Sequence, residues 1–363
     1  MSKLESQLNL IKIEDSLEAK INNFQVSRPL GFGTQIAPVM AKAVYEDGDW
    51  SKLEMTACEA FEIHPAMKAF HYGQQIFEGM KAYRSNDKGP FLFRADQHAK
   101  RFNMSAERMA MPSIPETTFL NGVMNLVFRL KEHIPKEEGE SLYLRPLMLA
   151  TETGLHLSPS NSYLFLIMAS PSATYFSPGN VSALIERVDA RAAPGGTGAV
   201  KAAGNYGGSI RSSINARVLG YQQTLWLDAV NKKNIEEFSG MNFFARVNNK
   251  LLTPKLNSSI LPGITRNSVI EIAKSLGVSC EEQDIDIDDL IQFIKNGQCT
   301  EIFACGTAAV ISPIASLGEK DGTKFELSYQ HDDLLWKKIR EQLVGIQLGD
   351  KEDPFSWRQL VTF

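Results

Sequence analysis

Residues 193–208, APGGTGAVKAAGNYGG, constrain the fold more tightly than any other stretch of the chain. Six of these sixteen residues are glycine, against 26 in all 363. Glycine inside a helix or strand costs about 0.5–1 kcal/mol relative to alanine, so the segment reads as a loop. Such a loop lets backbone approach a ligand closely or adopt positive φ. One lysine, Lys201, stands in its middle among small and apolar neighbours. Desolvation there favours the neutral amine, the form that makes a Schiff base. The residues exclude two nucleotide loops. A Walker A loop needs Gly-Lys-Ser/Thr, and the chain holds no Gly-Lys pair. A dinucleotide fingerprint counted from Gly196 and Gly198 needs a third glycine where Lys201 stands.

The rest of the chain has an ordinary globular composition, 43% hydrophobic and 22% charged. At about 150 residues per domain its length suggests two domains. A net charge of −4 gives no electrostatic footprint for nucleic acid. Four scattered cysteines fit a reducing compartment and not a disulfide framework. The first twenty residues carry charge throughout and lack the apolar core of a secretory signal. The longest strongly apolar run, residues 163–169, has seven residues where a bilayer span needs about 20. We expect a soluble cytoplasmic protein without membrane or nucleic-acid partners. The six histidines show no metal-ligand spacing, so no metal is expected.

Strands are expected at 91–94, 142–150 and 163–169, and a helix within 117–133 with Phe119, Val123, Val127 and Leu130 on one face. In 142–150, Tyr143, Arg145, Leu147 and Leu149 share one side, and an arginine there suits a pocket wall better than a core. Residues 171–180 are rich in Pro, Ser and Gly and read as a connection. Beyond it we expect strands at 181–187 and 224–230 and helices at 208–219 and 267–276. The helix at 208–219 has Ile210, Ile214 and Val218 in register, and a C-terminal amphipathic helix carries Leu335, Ile339, Leu343 and Ile346. The fold class is mixed α/β (α+β) in two domains, 1–174 and 188–363, with a linker at 175–187.

Lys201-Ala-Ala-Gly-Asn-Tyr206 resembles the lysine segment of fold-type IV pyridoxal-phosphate enzymes, most closely the branched-chain amino acid aminotransferases. The likeness continues in order through FHYGQQIFEGMKAYR (70–84), FLFRADQHAKRFNMSAERM (91–109), LYLRP (142–146), EEFSGMNFF (236–244), ILPGITR (260–266) and CGTAAVISP (305–313). It implies a smaller N-terminal domain, a larger C-terminal cofactor-binding domain and an active site at their interface. It also implies pyridoxal 5′-phosphate as cofactor. Lys201 would carry the cofactor aldehyde as a Schiff base and then shuttle the substrate α-proton. Glu237 would face the pyridine nitrogen, with Glu236 as the alternative, and Tyr206 the phenolic oxygen. Arg94, Ile264, Thr265 and Thr307 would hold the phosphate.

For the substrates, the resemblance implies Phe32, Tyr72, Phe77 and Tyr143 as aromatic lining. Arg145 would meet a distal carboxylate, and Thr307 and Ala308 the substrate carboxylate. The implied activity is reversible ping-pong transfer of the α-amino group between L-Leu, L-Ile or L-Val and 2-oxoglutarate, by a homodimer. The alternative within the fold type is a D-amino acid aminotransferase or an aminodeoxychorismate lyase. The cysteine pair that some animal members carry after Gly-Thr-Ala is replaced here by Ala309 and Ser312.

Overall fold

The computed structural model describes residues 9–85, 88–175, 181–327 and 333–363. The chain forms two units, residues 1–175 with 345–363, and residues 176–344. The sequence-based division differs in two places. The last nineteen residues join the first unit, because Arg358–Leu360 pairs antiparallel with Lys88–Phe93. That makes the first unit, not the C-terminal one, the longer of the two. The expected linker 175–187 contains a strand, Val181–Glu186, that is central to the second unit's sheet.

In the first unit, Ser141–Ala150 and Tyr163–Ser172 pair in one antiparallel ladder of ten residues each. Val39–Glu46 extends the sheet on one side and Met80–Ser85 on the other. The helix Glu116–Arg129 places Phe119, Val123 and Val127 in the core, with Leu130 just past its end, all fully buried as their spacing predicts. They meet Phe102, on the helix Ala95–Arg108, and Phe165 on the sheet. Along Ser141–Ala150, Leu142, Leu144 and Met148 are fully buried, whereas Arg145 and Leu147 are half-exposed. On the arginine side Tyr143 and Leu149 are buried, Leu149 within the core, so only Arg145 and Leu147 depart from the core there.

The second unit is a closed ring of strands. Starting from Ile235–Phe238, neighbours run Gln223–Leu227, Val181–Glu186, Val310–Gly318, Cys299–Gly306 and Met241–Val247, and the last pairs back onto Ile235–Phe238. Val181–Glu186 lies parallel to both of its neighbours, and the other pairs in the ring are antiparallel. Closure leaves the ring itself without an open edge, and Lys250–Pro254 with Cys280–Gln283, and Lys324–Glu326, pair onto it from outside. The strand expected to run to residue 230 ends at Leu227. There the Asp228 carboxylate accepts the amides of Val230, Asn231, Lys233 and Asn234 and turns the chain.

The helix expected at 208–219 spans Ile210–Val218, but its apolar stripe faces outward: Ile210, Ile214 and Val218 are exposed. Its buried residues are Ser212 and Ala216, whose small side chains let the helix lie close to the strands beneath. The C-terminal helix, Leu335–Leu348, buries Leu335, Ile339, Leu343 and Ile346 as their spacing predicts.

Candidate active site

On the glycine-rich loop, the Lys201 amine donates to the Tyr206 hydroxyl at 3.0 Å. Both side chains are half-buried. Asn205 holds the loop in place. Its amide nitrogen donates to the carbonyls of Thr197 (2.7 Å) and Val200 (2.9 Å), and its amide oxygen accepts from the Thr197 hydroxyl (2.7 Å). Gly198 shows why the loop needs glycine, since a Cβ there would come within 2.5 Å of the Ser259 carbonyl oxygen.

Glu237 lies in the ring of strands and is 3% exposed. Cross-strand pairing sets Trp226, Glu237, Asn242 and Cys305 in one row. Glu237 Oε2 accepts from Asn242 Nδ2 (3.2 Å) and from the Leu261 amide (3.3 Å). Arg191 Nε lies 2.9 Å from Glu237 Oε1, as an ion pair rather than an aligned hydrogen bond. Arg191 also donates to the carbonyls of Gly198 and Ser259, so one guanidinium ties the lysine loop to the carboxylate.

Leu261 in turn leads through Pro262-Gly263 into the helix Ile264–Ser275, whose first residues are Ile264 and Thr265. The first turn of a helix presents amides without intrahelical partners and favours an anion. Thr307 and Ala308 are half-buried in the turn that follows Cys299–Gly306. Cys305, at the end of that strand, is fully buried, and burial pushes its thiol far up, so it is not a reactive thiolate.

Four expected residues meet in the first unit. The rings of Phe32 and Tyr143 pack edge to face with centroids 4.8 Å apart. Arg145 donates to the Tyr143 hydroxyl at 3.0 Å, and its guanidinium lies over the rings of Phe77 (4.7 Å) and Tyr143 (5.3 Å). Arg145 Nε is buried without a hydrogen-bond partner. A cation held on aromatic faces with an unused donor is built to take an anion. Tyr72 is not part of this group: it is exposed, and its hydroxyl donates to the Leu155 carbonyl.

Between Phe77 and Gly79 sits Glu78, fully buried and held by Arg101 (2.6 and 2.9 Å) and His98 (2.8 Å). Despite its burial, these two partners hold its carboxyl well below the usual carboxylate range. Arg94 ends the strand and opens the helix Ala95–Arg108, one residue beyond the strand's last residue, Phe93. It adopts a left-handed conformation (φ 51°), its amide donates to the Trp357 carbonyl (2.8 Å), and its guanidinium lies 4.9 Å from the Trp357 ring centre.

Arg191, Asn242, Asn205, Glu78 and Trp357 escaped the sequence reading. Only Asn205 carried a local signal, within the glycine-rich loop. Arg191, Glu78 and Trp357 act through partners distant in sequence, and Asn242 meets Glu237 only five residues away, across the turn between two strands.

The donor set suits a phosphorylated pyridine aldehyde: a primary amine, a phenol beside it, a buried carboxylate and a helix start. Known proteins place the chain in a family. Residues 75–317 match the class IV amino-transferase family. A probable branched-chain-amino-acid aminotransferase of Staphylococcus aureus (strain MRSA252) is 41% identical over 360 residues, covering 98% of this chain and 99% of the relative. Among solved structures, the branched-chain amino acid aminotransferase from Escherichia coli superposes with a TM-score of 0.72 at 30% identity, covering 89% of this chain and 100% of that one. The T.th. branched-chain amino acid aminotransferase complexed with N-(5′-phosphopyridoxyl)-L-glutamate gives a TM-score of 0.70 at 25% identity, over 89% of this chain and 99% of that one. The mixed α/β architecture is thus that of the fold-type IV enzymes, and the chain belongs to the class IV aminotransferases and, among them, to the branched-chain-amino-acid aminotransferases.

Proposed function

We propose that this protein moves the α-amino group between L-leucine, L-isoleucine or L-valine and 2-oxoglutarate, in two ping-pong half-reactions, with pyridoxal 5′-phosphate as cofactor. The observation that carries this reading is the Lys201 amine, held 3.0 Å from the Tyr206 phenol on a loop that Arg191 ties to buried Glu237.

The cofactor supplies an electron sink for the charge left when the substrate α-carbon loses its proton. The chain's own residues do the rest. Lys201 Nζ would take the proton from the substrate α-carbon and pass it to the cofactor carbon C4′, as base and then as acid. Tyr206 keeps that amine in place through its hydroxyl. Glu237, ion-paired with Arg191, would face the ring nitrogen and hold a proton there. Arg94, the amides of Ile264 and Thr265, and Thr307 bind the phosphate. Thr307 and Ala308 receive the substrate carboxylate. Phe32, Phe77 and Tyr143 offer apolar surface to a branched side chain. Arg145, with its unused Nε, takes the distal carboxylate of glutamate or 2-oxoglutarate.

We assign the working form to a homodimer in which the partner completes each pocket. Tyr72, Leu155 and Leu157 are exposed at 38%, 67% and 83%, an apolar group better suited to a second copy than to water. We place the enzyme in the cytoplasm, in keeping with four free cysteines. Among the described residues no helix is long and apolar enough to cross a membrane.

The test is glutamate formation from 2-oxoglutarate with L-leucine, L-isoleucine, L-valine and D-leucine as donors. Turnover of the L-donors, lowered roughly 10³-fold or more in Lys201→Ala, is expected. Turnover of D-leucine alone overturns the reading.

A further inference from the structure

Glu236 is not used by the reaction above, yet it is 3% exposed and its Oε2 is buried without a hydrogen-bond partner. The charged groups whose fields act on it are Arg191, Glu237 and Asp228, and Ser259 offers it a hydroxyl. Of the two buried carboxylates, Glu237 is ion-paired with Arg191, and Glu236 has no ion pair of its own among the described residues. That guanidinium is committed elsewhere: its Nε to Glu237 and a terminal nitrogen to the carbonyls of Gly198 and Ser259. A buried carboxylate without its own cation keeps its proton. Burial pushes the Glu236 carboxyl up to about 7; Arg191 and Ser259 pull it down, while Glu237 and Asp228 push it further up. The cluster is one cation short of ionising both acids.

The cofactor assigned above brings that cation in its protonated ring nitrogen. We propose that Glu236 is a positioning residue that holds a proton while the site lacks cofactor and releases it to solvent when the protonated ring nitrogen arrives at Glu237. Ionised, Glu236 adds a second negative charge to the field around Glu237 and so favours the protonated ring over a protonated Glu237. This inference rests on the proposed placement of the ring nitrogen at Glu237.

The test titrates pyridoxamine 5′-phosphate into the full-length protein stripped of cofactor. Proton release is measured calorimetrically in buffers of different ionisation enthalpy, for wild type, Glu236→Gln and Glu237→Gln. Near pH 6 the wild type should release about one more proton per site than Glu236→Gln, and the excess should vanish by about pH 9. The affinity of wild type relative to Glu236→Gln should climb by up to about tenfold per pH unit below about pH 7 and level off above it. Equal release by the two proteins at every pH overturns the proposal. If Glu236→Gln does not fold, infrared spectra of the wild type near pH 6 decide: a protonated-carboxyl band should disappear on adding pyridoxamine phosphate, and a persistent band overturns the proposal. Glu237→Gln separates the two layers. Unaltered binding in that variant removes the ring-nitrogen assignment itself, whereas weakened binding beside a silent Glu236→Gln removes only the role of Glu236.

Discussion

Arg145 carries no carboxylate partner among the described residues, and its charge rests on two aromatic faces. Hydrogen bonds to a charged group are worth about 1.5–3 kcal/mol, so Arg145→Ala should raise KM for 2-oxoglutarate about tenfold to a hundredfold. KM for leucine should stay within about twofold, and equal damage to both substrates would make Arg145 structural. Glu236 gives a second prediction at this scale. Its folded-state carboxyl titrates near 7, above the ordinary 4.5. Between those values the folded protein binds the proton and the unfolded chain does not. The stabilisation is therefore complete below about pH 4.5 and is lost as pH rises through about 7, a change on the order of 3 kcal/mol. Urea denaturation of the cofactor-free protein should show that decline, and Glu236→Gln should flatten it. Of these side chains, Lys201 stood out in the sequence through its glycine-rich loop, and Tyr206, five residues on in the same segment, through the family resemblance. The pairing of Arg191 with Glu237 was not, because only folding closes that 46-residue gap.

Gly79 follows Glu78 and lies against Tyr143, where a Cβ would overlap the tyrosine hydroxyl. Gly79→Ala must push Tyr143 off its contact with Arg145. We expect a loss of about 1–3 kcal/mol from overpacking, together with a rise in KM for 2-oxoglutarate. Thermal unfolding and steady-state kinetics check the two parts, and stability loss without the KM change would detach Tyr143 from substrate binding. At this scale periodicity was a good guide where a helix packs on a broad core, as with Phe119, Val123 and Val127. It misled at Ile210–Val218, where the periodic apolar face is exposed and Ser212 and Ala216 make the contact. Periodicity reports which residues share a face, and close packing onto a strand can prefer the small ones.

The second unit closes its strands into a ring, and the first unit takes back the chain's last nineteen residues. Within those residues, Trp357 lies under the Arg94 guanidinium and Arg358–Leu360 covers the edge of Lys88–Phe93. Deleting residues 354–363 should expose that edge, lower the melting temperature by several degrees and weaken cofactor retention. Differential scanning calorimetry and dialysis against buffer measure the two effects; full retention would show that Trp357 does not position Arg94.

The residues alone pointed to the family. The lysine set in glycine and the ordered segments that carry the resemblance to the branched-chain aminotransferases lie in contiguous stretches of sequence, and contiguous stretches carry their meaning in local order. They also set the strands and helices whose apolar repeats match the element period. The tertiary structure decided what depends on residues far apart in sequence: the closed ring, the return of the C-terminus to the first unit, the outward stripe of Ile210–Val218, and the pairing of Arg191 with Glu237 that leaves buried Glu236 without a cation of its own. Those outcomes depend on which distant groups compete for the same partner or the same volume, and a linear order of residues does not contain that competition.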